Sequence, residues 1–194
     1  SMAASKLYGV ELDSISGRIA QQLYPKVNIA IRGFEKSGFP DGFFDLAIGN
    51  VPFGNYSLAD RRYDKEHLLI HDYFFAKTID KVRAGGVIAF VTSNGVGGGT
   101  MDKKDRRARE YIARRCDLLG AVRLPSNASR ANAGTEVGMD IVFLQKRDMP
   151  RSLDEPLPEW TEADTIEEHT YTGGDGREKR GFLTMNRYFQ AHQS

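Results

Sequence analysis

The sequence is short of the residues that mark specialised proteins. Among its 194 residues there is one cysteine, Cys116, which excludes an internal disulfide framework and a cysteine-rich metal site. Its expected state is a reduced, partly buried thiol. No apolar run approaches the ~20 residues needed to span a bilayer, and no signal-peptide pattern is visible. The expectation is a cytoplasmic protein with no membrane partner. Charge of one sign is also missing: 27 Lys and Arg face 26 Asp and Glu, a net charge of +1. Any contact with nucleic acid must then come from a local basic patch and not from the field of the whole domain. There is no internal repeat. The hydrophobic fraction, 40%, is modest but sufficient for a core, and the length suits one domain with an appendage.

What is present centres on Asp45 to Asn55, which reads Asp-Leu-Ala-Ile-Gly-Asn-Val-Pro-Phe-Gly-Asn. Leu46, Ala47 and Ile48 form a short apolar run that suggests a buried parallel strand. It stops at Gly49 and is followed by Asn50, Val51, Pro52 and Phe53. Chemistry in open α/β sheets collects where the chain leaves the carboxyl end of a strand. An amide carries an acceptor and donors on one plane. Asn50 Oδ1 and the Val51 carbonyl can accept from an amino group on a flat ring. Pro52 stiffens the loop, and Phe53 offers a face for stacking. The same residues also suit an ordinary strand-to-loop turn, so the residues alone leave both readings open.

The flanking chain alternates short strands and helical patterns. Leu7 to Leu12 reads as a strand ending in an acid, Glu11, with Leu12 beside it. Asp13 or Ser14 can cap a helix over Ser14–Leu23, in which Ile15, Ile19 and Leu23 share one face. Val27 to Ile31 reads as a second strand, leading into Phe34 and Glu35. The loop from Gly54 to Glu66 is long enough to fold over a site or reach a partner, or to be a surface loop. His71 to Val82 reads as a helix, closed by a glycine cap at Gly85-Gly86. Val87 to Thr92 reads as a buried strand. His67 and His71 have a spacing that can bind metal, but no third ligand is apparent, and no metal site is assigned. The four glycines between Ser93 and Thr100 match no phosphate-binding loop and read as a flexible connection. Met101 to Arg115 reads as one basic helix, suited either to a phosphate backbone or to a solvated face. Strands follow at Leu118–Leu124 and Gly138–Gln145, separated by a polar loop. From Arg147 prolines and acids give a linker-like composition, with a glycine turn at Gly173, Gly174 and Gly176. Phe182 to Phe189 regains apolar character.

Asn50-Val51-Pro52-Phe53 resembles the Asn-Pro-Pro-Tyr/Phe motif of amino-group methyltransferases that use S-adenosylmethionine. Ala121-Val122-Arg123-Leu124-Pro125 and Asp140-Ile141-Val142-Phe143-Leu144-Gln145-Lys146 extend the likeness. From Tyr8 to Lys146 the chain resembles the N6-adenine DNA methyltransferase family. It is most similar to the versions in type I modification subunits and in large methylase-helicase proteins of phages and mobile elements. The resemblance implies an α/β, Rossmann-like class I methyltransferase fold with a mainly parallel sheet and an antiparallel last strand. It implies methylation of a flipped-out adenine, with Asn50, Val51, Pro52 and Phe53 as the catalytic constellation. Glu11 and Leu12 would lie at the cofactor ribose, Phe34 and Glu35 at its adenine, and Asn50 would face the methyl group. The implied partners are DNA and a helicase region or specificity subunit, in a bacterial, phage or mobile-element setting of restriction-modification.

Two departures from the family stand out. Its first motif, a strand with a glycine-rich turn of the type Asp/Glu-Pro-x-Cys-Gly-x-Gly, should precede Leu7 and is absent. That strand sits mid-sheet in the family, so its loss leaves strand edges to be joined, covered or paired. The chain alone is therefore expected to be inactive and to bind S-adenosylmethionine poorly. Ser129 also stands where relatives often place an aromatic. The expected organisation is a methyltransferase core over 1–148, a polar linker-like segment over 149–181, and a C-terminal segment over 182–194 that docks on the core. Two alternatives are a methyltransferase for RNA guanine or protein glutamine, and a non-catalytic DNA-binding or scaffold module of a larger methylase-helicase.

Overall fold

The structure, a computed structural model, describes residues 5–94, 99–125, 138–172 and 177–192. Ser129, most of the Ser93–Thr100 glycine run, the loop before Gly138 and the glycines at 173, 174 and 176 lie outside the described residues. The chain divides into two compact units, residues 1–40 and 41–194.

The first unit is a strand–helix–strand. Strand β1 (Tyr8–Glu11) leads through helix α1 (Ser14–Leu23) to β2 (Asn28–Ile31). The strands are parallel, in register from Tyr8 with Asn28 to Glu11 with Ile31. Asp13 caps α1, accepting from the Ser16 N–H at 2.7 Å. Gly17 of α1 lies against β2: a Cβ there would lie 2.7 Å from Ile31 Cγ1, so glycine permits the close approach. A short 3-10 turn, Phe34–Lys36, follows β2.

The second unit is built on a four-stranded sheet of order β3-β4-β6-β5. The strands are β3 (Phe44–Asn50), β4 (Val82–Ser93), β5 (Cys116–Leu124) and β6 (Met139–Lys146). Strands β3 and β4 are parallel, and β6 runs antiparallel to both β4 and β5. Three strands thus share one direction and the last opposes them. Helix α2 (Ile70–Lys81) packs on β4, and α4 (Arg107–Arg115) packs on β5. Their core holds Phe75, Ile79, Ile88, Phe90, Ile112, Val142 and Leu144. Phe75 meets Phe90 edge to ring at a 5.1 Å centroid distance. Cys116 is fully buried, and burial pushes its thiol up to about 12.

Three expectations change. The basic run is two helices, α3 (Gly99–Asp102) and α4, not one. Asp105 breaks it, accepting the Arg107 backbone N–H and pairing with the Arg107 guanidinium, a local alternative to helical hydrogen bonding. Strand β4 starts at Val82, directly after α2, and absorbs the glycines meant as a cap; Gly85 takes φ +70° within it. A Cβ on Gly86 would lie 3.0 Å from the Asp45 carbonyl oxygen, so the sheet closes there only on glycine. Finally, the Gly54–Glu66 loop packs down on the outside of α2. The Tyr56 carbonyl accepts from Ile70 N–H at 2.8 Å, and the Tyr63 hydroxyl donates to Asp80 at 2.5 Å. Tyr73 and Lys77 of α2 both reach Asp60, at 2.8 and 3.0 Å.

After Met149 the chain makes a 3-10 turn (Glu159–Thr161), a hairpin of β7 (Ala163–Thr172) and β8 (Glu178–Asn186), and helix α5 (Arg187–Ala191). Trp160 and Phe189 belong to the core cluster. Asn186 is fully buried and donates to the Met101 and Trp160 carbonyls at 2.9 and 2.8 Å.

Candidate functional site

In the second unit, Asn50 is the last residue of β3 and pairs with Val91 of β4. Its side chain is exposed. The next residue turns inward: Val51 is buried in the core cluster and its N–H donates to the Val91 carbonyl at 3.0 Å. This anchor and Pro52 fix the backbone on which the Val51 carbonyl is carried. Phe53 emerges again and is partly exposed. The four residues therefore form one anchored turn at the carboxyl end of β3, in which the Asn50 amide and the Phe53 ring are both exposed.

In the first unit, Glu11 and Ile31 are the last paired residues of β1 and β2. One Glu11 oxygen accepts from the Asp13 N–H at 2.8 Å, which orients the carboxylate and leaves its second oxygen to accept from another group. Leu12 follows and is strongly exposed. Phe34 and Glu35 lie in the 3-10 turn just past β2, and the Glu35 carboxylate folds over Gly33, 2.2 Å from where a Cβ would stand. Glu11, Leu12, Phe34 and Glu35 are thus gathered at the carboxyl end of a parallel pair, as Asn50 to Phe53 are in the other unit.

A polar network near Asn50 was not anticipated from sequence. Asp140 of β6 is fully buried and opposite Thr92, one step along β4 from Val91. Arg123 donates to both its oxygens, at 2.9 and 3.0 Å, and also to Asp102 at 2.8 Å. Asn94 adds a third bond to Asp140 at 3.1 Å. Burial pushes the Asp140 carboxyl up, opposed by Arg123. The network ties the carboxyl end of β4 to β5, β6 and α3. An aspartate at the head of the apolar run Ile141–Leu144 is its one signal in the sequence. Its partner, Arg123, becomes visible only once strands β5 and β6 are paired.

Most of the basic segment is committed to the fold. Arg109 is buried, donating to the Thr161 and Thr100 carbonyls. Arg106 pairs with Glu110 and Glu162, and Arg115 covers the Tyr111 ring. These charges therefore brace the fold, where the sequence suggested a phosphate-binding or a solvated face.

No family model matches the chain. It is similar to the defense against restriction protein B of Escherichia phage P1, at 34% identity over 153 residues. That match covers 76% of this chain but 6% of the phage protein, so the chain spans a small part of this relative's length. Among solved structures, a class I S-adenosylmethionine-dependent methyltransferase from Listeria monocytogenes aligns with TM-score 0.56 and 18% identity, over 79% of this chain and 47% of that one. The M protein of the type I restriction enzyme EcoKI aligns with TM-score 0.54 and 16% identity, over 72% of this chain and 31% of that one. The fold is that of the class I methyltransferases. In this methyltransferase fold the parallel strands and the opposed β6 follow the arrangement expected from sequence.

Proposed function

We propose that the chain is part of an S-adenosylmethionine-dependent methyltransferase that acts on N6 of adenine in DNA. The observation that carries this reading is the anchored Asn50–Phe53 turn at the carboxyl end of β3 in a class I methyltransferase fold. Asn50 Oδ1 and the Val51 carbonyl accept the two N–H groups of the exocyclic amine. They hold the amine so that its nitrogen lone pair leaves the ring plane. Phe53 stacks on the extruded base. Positioning and electrostatics then account for the acceleration.

The residues for a cofactor fit in part. Glu11, held by the Asp13 N–H, is oriented to accept from ribose hydroxyls. Leu12, Phe34 and Glu35 stand beside it at the carboxyl end of β1 and β2. S-adenosylmethionine, when bound, supplies an electrophilic methyl group. The glycine-rich turn that approaches the methionine end in related proteins has no counterpart in the sequence, so these 194 residues alone do not transfer methyl. DNA, and a helicase region or specificity subunit, complete the proposed partners.

The test uses tritiated S-adenosylmethionine with DNA, RNA and protein substrates. In a longer polypeptide carrying this segment, label should enter DNA adenine, and Asn50→Ala should lower kcat by at least ~100-fold. Label in RNA guanine or protein glutamine would replace the substrate assignment. Unchanged DNA methylation by the Asn50→Ala protein would leave the segment a non-catalytic module. Tight binding of S-adenosylmethionine to the 194-residue chain, read by titration calorimetry, would overturn the claim that it lacks a complete cofactor site.

A further inference from the structure

The turn from Asn50 to Phe53 hangs on the end of β4, and that end is held from its other side. Strand β4 lies between β3 and β6. On the β3 side, the Val51 N–H donates to the Val91 carbonyl. On the β6 side, Thr92 lies opposite Asp140, and the Asn94 N–H donates to the Gly138 carbonyl at 2.9 Å. A Cβ on Gly138 would lie 1.9 Å from Asn94 Oδ1, so glycine there admits the Asn94 amide against β6. A shift of this short stretch of β4 therefore moves the backbone that carries the Val51 carbonyl.

Asp140 does not hold this end alone. Arg123 gives it two hydrogen bonds from one guanidinium, which sets the direction of the pair as well as its charge. The guanidinium carbon lies over the Phe189 ring of α5, 4.0 Å from its centroid. The same guanidinium reaches Asp102 of α3. Asp102 is held in turn from the C-terminal segment. The Asn186 N–H donates to its carboxylate at 2.9 Å, and the Thr184 hydroxyl donates to its carbonyl. Residues 184–189 thus grip Arg123 twice, directly through Phe189 and indirectly through Asp102. A buried ion pair costs desolvation that apolar residues of similar volume avoid. What the fork supplies in exchange is a fixed direction between β5 and β6, at the end of the sheet where the turn stands.

We infer that Arg123 is a positioning residue for the Asn50–Phe53 turn, and that residues 184–189 are the clasp that seats it. The path runs from Phe189 and Asp102 through Arg123 and Asp140 to the end of β4, and from Val91 to Val51. A segment that begins as a proline-rich, linker-like stretch in the sequence thereby ends as a part of the site. This role rests on the proposed amino-group clamp, yet it is read in the backbone of the turn. Failed methyl transfer would leave the coupling standing, and failed coupling would leave the reaction open.

The experiment follows amide exchange of the 194-residue chain by NMR at single residues. The reporter is the Val51 N–H, and the reference is the Leu144 N–H in the middle of β6. Arg123→Gln leaves Asp140 buried without its counter-charge and should speed exchange at Val51 at least ~10-fold more than at Leu144. Phe189→Leu keeps an apolar side chain and removes the ring under the guanidinium. It should speed Val51 ~5-fold, and it keeps the test alive if Arg123→Gln does not fold. Arg123→Gln combined with Asp140→Asn exchanges the ion pair for a neutral pair and should return Val51 to within ~3-fold of wild type. Ile79→Val, in the same core but off the path, should move both reporters in step. Three results overturn the role of Arg123. One is Val51 and Leu144 rising in step in Arg123→Gln and Phe189→Leu, which would make the network a contributor to global stability alone. Another is an unchanged Val51 rate in a folded Arg123→Gln protein. The third is a double variant no better protected at Val51 than Arg123→Gln, which would take the ion pair off the path.

Discussion

Helices α1 and α2 both carry apolar residues at helical spacing, on one face in α1 and on several in α2, and they meet different fates. Helix α2 buries nine of its twelve residues, because the sheet covers one side and the Gly54–Glu66 strap covers the other. Helix α1 buries one of its ten, Gly17, and leaves Ile15, Ile19 and Leu23 exposed. Periodicity reports what a helix is able to bury. It does not report whether a partner is present. Leu46 and Ile48 of β3 make the same point for a strand.

The largest expected effect breaks the comparison at its covered end. Phe75 is fully buried in α2 against Phe90. Phe75→Ala removes a ring from a packed site and should cost ~3–5 kcal/mol in urea unfolding. Ile19→Ala in α1, at a 54% exposed position, should change stability by less than ~0.5 kcal/mol. A comparable loss for Ile19→Ala would mean that the α1 stripe is covered in solution.

The next effect tests what holds the strap on α2. Burial pushes the Asp60 carboxyl up, but hydrogen bonds from Tyr73, Lys77 and the Arg62 N–H outweigh it and hold it below the ordinary aspartate value. Hydrogen bonds from Lys81 and Arg62 do the same for Asp41. A carboxyl with a lowered native pKa gives stability that is present above its unfolded value and lost as pH falls through the native one. The strap should therefore loosen on acidification from about pH 4 downward, seen as faster amide exchange over residues 56–66. Asp60→Asn should cost ~1 kcal/mol near neutral pH and flatten this acid limb. An unchanged acid limb in Asp60→Asn would assign it to the Asp41 pairs with Arg62 and Lys81.

The sequence showed much of this and for identifiable reasons. Helix α1 begins and ends where its cap and stripe place it, because both signals are local. Asn50 to Phe53 stands at a strand end, as the apolar run before it suggested, but Leu46 and Ile48 of that run are exposed where a buried strand was expected. The strap was legible as a long loop but not as a cover for α2, because its anchors reach Asp80 and Lys77 from Tyr63 and Asp60 across 17 residues each. The Asp140–Arg123–Asp102 network was hidden for the same reason: its members come from three elements that only tertiary pairing brings together. Asp105 was a local signal that the helical pattern of Met101–Arg115 concealed, since charge periodicity does not reveal a side chain that captures its own backbone.

The smallest effect sharpens the strap itself. His67 closes it, and it is the non-glycine residue with positive φ, +49°, among the described residues. Left-handed backbone costs an L-residue with a Cβ ~1 kcal/mol or more. Here it is imposed by position, since His67 caps the short turn Asp64–Glu66 and its N–H returns to the Asp64 carbonyl. The chain must reverse there to enter α2 at Ile70, whose N–H is held by Tyr56. His67→Gly relieves the strain but adds freedom to the unfolded chain. If the turn alone dictates this residue, the net should be a stabilisation of ~0.5 kcal/mol and slower amide exchange in the strap. His67→Ala keeps a Cβ in the same backbone region and should not reproduce it. A loss of stability in His67→Gly would mean that the imidazole makes a contact worth more than the strain, and that the strap is held at this end by a side chain and not by the turn.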